Sequence, residues 1–299
     1  MAIVKKTVTF LFPEKIISNY DGYEYLSHIS LQSFAMNNGS IVFDFSNTTF
    51  FQENLCSPFG ALLAGLKERK NTIKIEGISK NLMLTFEKNG FNSLLNPKYD
   101  ETHISTTIDF KKFTLQDTVS FQTYINDKLL GRSDFPHVSD LLKKKINKSI
   151  LELFNNAHSH GKCEFVYICG QYSTSDLKLH FTISDMGITI RKNVNDYFKS
   201  GTKITGVAAI NWAVERGNTT KRGNIPGGLG LSLIRDFLTL NEGSIQIISS
   251  NGYWEEKNGS IFVNTFKDRF LGTIVNLEFN LNDKKTYILS SEIDSKNVL

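Results

Sequence analysis

The sequence of 299 residues is poor in cysteine and proline and contains no long hydrophobic run. Its three cysteines, Cys56, Cys163 and Cys169, include no CxxC pair, which argues against a disulfide framework or a zinc site and indicates a reducing compartment. No stretch approaches the roughly 20 apolar residues of a membrane span, and the charged N-terminus lacks a signal-peptide core. We therefore expect a cytoplasmic protein with no membrane partner.

The sequence also lacks a strong charge of either sign. Its formal net charge is +4, so nothing general points to a nucleic-acid partner. The lysine runs at 143–145 and 284–285 are short and are typical of solvated faces. Hydrophobic residues make up 40% of the chain, which is the composition of a globular protein. The length suffices for one large or two ordinary domains.

Strand-like and helical patterns alternate in the first third of the chain. In order, we predict a strand in GSIVFDFSNTTFF (39–51), a helix in FGALLAGLKERK (59–70), a strand in NTIKIEGIS (71–79) and a helix in NLMLTFEKNGF (81–91). This order predicts an α/β layer structure for residues 1–104. The polar stretch NPKYDETHIS (96–105) reads as a linker.

The rest of the chain begins with helices and ends with strands. A long helix is predicted from about Pro136 to His160, because apolar residues recur along it at steps of three and four. Strand patterns follow in CEFVYICG, LKLHFTISD, SIQIISS, SIFVNTF and GTIVNLEFN. Residues 186–226 form a long irregular stretch that holds one helical piece, VAAINWAVERG. Residues 105–285 are therefore expected to form an α/β sandwich with a mostly antiparallel sheet. Residues 286–299 read as a polar tail.

Polar side chains interrupt the apolar pattern of the long helix in ILELFNNAHSHG (150–161). Glu152 and Asn156 are four residues apart and so project from the same side of the helix. A carboxylate and a carboxamide stacked in this way can hold a hydrated Mg²⁺ and orient a nucleophile beside it. Taken alone, the pair is weak evidence for such a site and is better explained as the polar edge of a helix.

Two further stretches have features of a nucleotide site. ISDMGITI (183–190) places Asp185 at the end of a predicted strand, with Gly187 behind it. PGGLGLSLIRDF (226–237) is rich in glycine and leads into a helix, whose N-terminus favours an anion. The chain has neither an early GxGxxG nor a GxxxxGK[ST] sequence, so a Rossmann site and a P-loop are both disfavoured.

Together, ELFNNAHSHG, SDMGITI and GGLGLSLI resemble the three motifs of the GHKL ATPases in order and in approximate spacing. This superfamily includes histidine kinases, anti-sigma-factor serine kinases and the ATPase domains of type II topoisomerases and mismatch-repair proteins. The end of the first motif is most similar to the anti-sigma-factor kinase branch. The resemblance covers residues 105–282 and implies a Bergerat-type α/β sandwich with a mixed, mostly antiparallel sheet that binds ATP and Mg²⁺.

The resemblance assigns a role to each matching residue. Glu152 would be the general base, and Asn156 would coordinate Mg²⁺ between the phosphates. Asp185 would accept a hydrogen bond from the adenine amino group. Gly187 would leave room for the base, and Thr273 would help to bind adenine. Gly228 and Gly230 would form the turn beside the phosphates.

By the same resemblance, residues 190–226 would form a lid that closes over the nucleotide. Lys221 or Arg222 in this segment could reach the γ-phosphate, although both also fit ordinary solvated charges. The chain departs from the family pattern at Thr189 and Pro226, where glycines are usual. Both changes stiffen loops that move in the family, which favours binding over turnover.

The N-terminal part resembles a STAS domain, the fold of anti-sigma-factor antagonists, in its order of strands and helices and in KNGF near its end. In antagonists, the turn before the helix carries a phosphorylated serine in an Asp-Ser-Ser-Gly sequence. Here the corresponding residues are 52–55, Gln-Glu-Asn-Leu, and the nearby Ser57 is followed by proline. This part is therefore expected to be a docking or regulatory module.

Two functions follow from these expectations. The first is a Mg-ATP-dependent signalling enzyme, an ATPase or a protein serine/threonine kinase that acts on a protein partner, such as a STAS-like protein. The second is a nucleotide-gated interaction switch with little or no catalysis. A sensor histidine kinase is disfavoured because no phosphoacceptor-histidine hairpin precedes the ATP-binding part. Whether the chain forms a homodimer is left open.

Overall fold

The computed structural model describes residues 6–95, 108–199, 203–220 and 229–296, and its fold is α/β. The elements of the N-terminal part are β1 (Thr7–Leu11), β2 (Lys15–Ile16), α1 (Tyr20–Phe34), β3 (Ser40–Asp44), β4 (Phe50–Phe51), α2 (Cys56–Glu68), β5 (Thr72–Glu76), α3 (Lys80–Lys88) and α4 (Asn92–Leu95). The strands β1, β3 and β5 form a parallel sheet in that order. The strand–helix alternation predicted for this part is confirmed, and β1 and α1 precede it.

Helices α1 and α2 pack on one face of this parallel sheet through aromatic side chains. The Phe59 ring of α2 lies 5.3 Å from the Phe43 ring of β3, centroid to centroid. The Phe12 ring, just after β1, lies 5.2 Å from the Tyr25 ring of α1. The polar cap of α1 is Asn19, whose side chain accepts the N–H of Gly22.

The elements of the C-terminal part are β6 (Ile108–Thr114), α5 (Thr118–Ile125), β7 (His137–Val138), α6 (Asp140–Ser159), β8 (Phe165–Ser173), β9 (Lys178–Asp185), α7 (Ile190–Phe198), α8 (Gly206–Val214), α9 (Leu229–Leu240), β10 (Ser244–Lys257), β11 (Ser260–Asn280), β12 (Thr286–Tyr287) and α10 (Ser290–Lys296). Five strands form one sheet in the order β10-β11-β9-β8-β6, and every neighbouring pair is antiparallel. Helices α5, α6 and α9 share a core with one face of this sheet. In that core the Phe121 and Phe154 rings stack with centroids 4.3 Å apart.

The N-terminal elements cover the opposite face of the same sheet. Their core includes Tyr167 and Cys169 of β8 as well as Phe270 and Ile274 of β11. Helix α2 contacts β8 and β9, and α1 contacts β11. The described part of the chain is therefore layered as parallel sheet, helices, antiparallel sheet and helices.

Strand β9 is buried on both faces, and its side chains alternate between the two cores. Phe181 and Ile183 belong to the core beneath α6. Between them, the Thr182 hydroxyl accepts a hydrogen bond from Asn54 Nδ2 at 2.9 Å, on the N-terminal side of the sheet. One strand thus joins the N-terminal layer to the core beneath α6.

Several boundaries differ from the sequence predictions. Helix α6 begins at Asp140 because the Ser139 hydroxyl caps it by accepting the N–H of Leu142, and residues 137–138 pair with β12 instead. The strands predicted at 260–266 and 272–280 are one 21-residue strand, β11. The stretch predicted to be irregular apart from one helical piece contains two helices: α8 matches that piece, and α7, which Thr189 caps, was not predicted.

In the segment expected to be a polar tail, residues 286–296 form β12 and α10. The predicted linker at 96–105 lies outside the described residues. None of the helices in the described part of the chain has both the length and the apolar character needed to cross a lipid bilayer.

Candidate functional site

A cavity of about 160 Å³ lies between α6 and the five-stranded sheet, and four of the predicted site residues line it. They are Glu152 and Asn156 of α6, Asp185 at the end of β9, and Thr273 of β11. These residues are far apart in the sequence. Strands β9 and β11 are antiparallel neighbours, and their register pairs Asp185 with Thr273. The predicted juxtaposition of these four residues is therefore present in the structure.

Helix α6 presents its polar pair to the cavity because the adjacent positions anchor it in the core. Ile150 and Phe154 are fully buried beneath it. Glu152 and Asn156 are half-buried at the border of this apolar face, one helical turn apart. The helix runs towards Gly161, which lies against Asp185. At about 1.5 Å per residue, Glu152 lies about 6 Å farther from that end along the helix axis than Asn156.

Asp185 is the most buried polar group of the cavity, with 3% of its surface exposed. Burial raises its pKa to about 7, although hydrogen bonds from the backbone N–H groups of Gly187 and Thr273 oppose this rise. The Gly187 N–H donates to Asp185 Oδ1 at 2.8 Å. The buried carboxylate is thus held in place at the cavity wall, where it can accept a proton or a hydrogen bond from a ligand.

Gly187 shapes the loop behind Asp185 through a close backbone approach. A Cβ atom at this position would lie 2.2 Å from the Gly161 carbonyl oxygen. That same carbonyl accepts the N–H of Ile188 at 2.5 Å. A larger residue would therefore push the Asp185 loop away from the end of α6.

Thr273 has a partner that the sequence did not reveal. Its Oγ1 lies 3.0 Å from Ser249 Oγ on the neighbouring strand β10. Ser249 is completely buried. No local pattern distinguishes this serine from others in SIQIISSNG, and only the register of β10 against β11 places it beside Thr273.

The segment between β9 and β10 forms a wall of the cavity. The ring of Trp212 lines the cavity and lies 5.6 Å from the ring of Tyr197, between centroids. The Thr220 hydroxyl is 2.8 Å from His160 Nδ1, and Asn193 Nδ2 donates to the His160 carbonyl at 2.9 Å. These contacts hold the part of the predicted lid that is described against the end of α6.

The phosphate-side residues are only partly described. Gly228, Lys221, Arg222 and Pro226 lie outside the described residues, so their predicted roles stay predictions. Gly230 is in the first turn of α9, and the next residue, Leu231, lines the cavity. Helix α9 therefore begins beside the cavity.

The cavity combines a few polar side chains with mostly apolar walls. No group of three His, Cys, Asp or Glu side chains able to hold an ion occurs among the described residues. Apolar side chains such as Ile188, Val194 and Ile247 line much of the cavity. A flat heterocycle could lie between these walls with a donor group at Asp185, and Asn156 could contribute one oxygen to a phosphate-bound Mg²⁺.

A comparison with protein-family models finds no match to this chain, and a comparison with curated proteins finds no relative.

Proposed function

We propose that the chain is a cytoplasmic signalling protein that binds Mg-ATP in the cavity beneath α6, with a GHKL-type C-terminal domain preceded by a STAS-like domain. The observation that carries the proposal is that Glu152, Asn156, Asp185 and Thr273 line one cavity. Their order relative to the end of α6 also fits: buried Asp185 lies against Gly161, Asn156 is the next of these residues back along the helix, and Glu152 is one turn farther. In this spatial order, Asp185 would face the base, Asn156 the phosphates and Glu152 the reacting centre.

Each residue would act by its position in this order. Asp185 would accept a hydrogen bond from the adenine amino group, and Thr273 would contact the same edge of the base. Asn156 would bind Mg²⁺ through its amide oxygen and so hold the phosphates. Glu152 would polarise a water molecule or the hydroxyl of a protein partner, a contribution of about 10²- to 10⁴-fold in rate. Bound Mg-ATP would supply the phosphoryl group for hydrolysis or for transfer to serine or threonine.

A nucleotide-gated switch with little catalysis is the second candidate, and the start of α7 favours it. The side chain of Thr189 caps this helix by accepting the N–H of Lys192. A cap fixes a backbone segment that a glycine in the same place would leave free to move. ATP would then change which protein partner binds by ordering the segment that follows.

The buried position of Ser57 supports a regulatory role for the N-terminal part. Its Oγ donates to the Tyr167 carbonyl at 2.9 Å and lies 2.8 Å from Ser184 Oγ. Both contacts are on the face of the sheet opposite the cavity. With no exposed surface, this hydroxyl has no path to a phosphate in the cavity, so Ser57 would not be a phosphorylation site.

Calorimetry and phosphate release test the proposal. Asn156→Ala is expected to abolish binding of Mg-ATP, whereas Glu152→Ala is expected to retain binding and lose turnover. Asn155→Ala and Glu164→Ala are matched controls, because neither side chain lines the cavity. Absence of ATP binding to the unaltered protein would refute the proposal. Turnover that persists in Glu152→Ala would refute the general-base role, and binding without turnover in the unaltered protein would favour the switch.

A further inference from the structure

Ser249 makes three polar contacts although its side chain is fully buried. Its Oγ accepts the N–H of Ile190 at 3.0 Å. It also lies 3.0 Å from the Gly272 carbonyl oxygen and 3.0 Å from Thr273 Oγ1. Ser249 therefore joins the start of α7 to the strand that carries Thr273.

One assignment of protons allows all three of these hydrogen bonds to form at once. A serine hydroxyl has one proton and two lone pairs. In that assignment Ser249 donates its proton to the Gly272 carbonyl, which can only accept. One lone pair of Ser249 Oγ accepts the N–H of Ile190. The other lone pair then accepts the hydroxyl proton of Thr273. All bonding capacity of Ser249 is used, as expected for a buried hydroxyl.

Thr273 lines the cavity with its own proton committed to Ser249. The lone pairs that remain on Thr273 Oγ1 can only accept a hydrogen bond. Asp185, its partner in the strand register, is also an acceptor when ionised. An ionised Asp185 and Thr273 thus offer two acceptors to a ligand in this part of the cavity.

We infer that Ser249 is a positioning residue that turns Thr273 into an obligate acceptor and so selects a 6-aminopurine over a 6-oxopurine nucleotide. The inference rests on the proposed function, because it assumes that a purine base occupies this part of the cavity. An amino group donates to both acceptors. An oxo group brings a third acceptor to the same place, and a buried acceptor without a donor is unfavourable. Without Ser249, the Thr273 hydroxyl could rotate and donate to the oxo group.

The test is calorimetric binding of Mg-ATP and Mg-ITP, which differ at position 6 of the purine. The unaltered protein is expected to prefer Mg-ATP. In Ser249→Ala the ratio of the two dissociation constants is expected to fall about tenfold, the effect of one hydrogen bond of typical strength. In a Thr273→Val background, Ser249→Ala is expected to change the ratio no further, because the hydroxyl it orients is gone.

Equal weakening of both nucleotides in Ser249→Ala, or an unchanged ratio, would overturn the inference and leave a merely structural role for the serine. If Ser249→Ala does not fold, Thr273→Val and Thr273→Ser decide: the first must lower the ratio and the second must preserve it. Any other result with this pair overturns the inference. Failure of the unaltered protein to bind either nucleotide would instead overturn the proposed function, and the inference with it.

Discussion

Replacing Asp185 with asparagine is expected to alter how the free energy of unfolding depends on pH. Burial raises the pKa of this carboxyl from 3.8 to about 7. A group whose pKa is higher in the folded protein binds more protons there than in the unfolded chain. Its contribution to stability is therefore complete below 3.8 and is lost as the pH rises through about 7. Asparagine cannot ionise, so the variant loses this dependence.

The size of the effect follows from the interval between the two pKa values. At about 1.4 kcal/mol per pH unit, the rise from 3.8 to about 7 corresponds to an upper limit of about 4 kcal/mol. Between pH 5 and pH 8, the part that can be observed is about 2 to 3 kcal/mol. Relative to the unaltered protein, the variant should therefore gain about this amount of stability as the pH rises from 5 to 8.

Urea denaturation of both proteins at several pH values measures this difference, in which other titrating groups cancel. Changed hydrogen bonds to Gly187 and Thr273 add only a constant offset. Asp117→Asn is the control: hydrogen bonds from Thr114 hold the pKa of Asp117 below its ordinary value, so its loss should be constant between pH 5 and 8. Parallel curves for Asp185→Asn and the unaltered protein would refute a buried, proton-binding Asp185.

Two further substitutions test the packing around the site. Gly187→Ala is expected to lower the free energy of unfolding by about 1 to 3 kcal/mol, because the added Cβ meets the Gly161 carbonyl; an unchanged urea midpoint would contradict that close approach. Phe59→Ala, in the core between the two sheets, is expected to cost about 3 to 5 kcal/mol by the same assay. Phe50→Ala serves as its control because Phe50 is 42% exposed, and equal losses would contradict the packing.

Local patterns in the sequence were sufficient to predict many elements and the polar pair of α6. Apolar spacing identifies α6 and α9, since a helix that packs on a sheet must repeat every three to four residues. Asp185 could be recognised because it ends a strand and precedes a glycine. The order of the three motifs, through their resemblance to a known family, then predicted that the four cavity residues lie in one site. Periodicity alone does not predict which distant segments are neighbours.

Long-range register was beyond the reach of the same patterns. Ser249 meets Thr273 only because β10 pairs with β11 in one particular register. The covering of the sheet by the N-terminal helices depends on contacts across more than a hundred residues of chain, as between Asn54 and Thr182. The position of Trp212 at the cavity could not be predicted, because a tryptophan with apolar neighbours in the sequence is equally typical of the core.

The double covering of β9 has a consequence for how a signal could leave the cavity. Ser184, which touches Ser57 of the N-terminal layer, and Asp185, which faces the cavity, are consecutive residues. A displacement of one therefore reaches the other through a single peptide plane. It also means that a fragment starting near residue 105 would leave Tyr167, Phe270 and Ile274 facing water, so such a fragment is expected to be less stable than the whole chain.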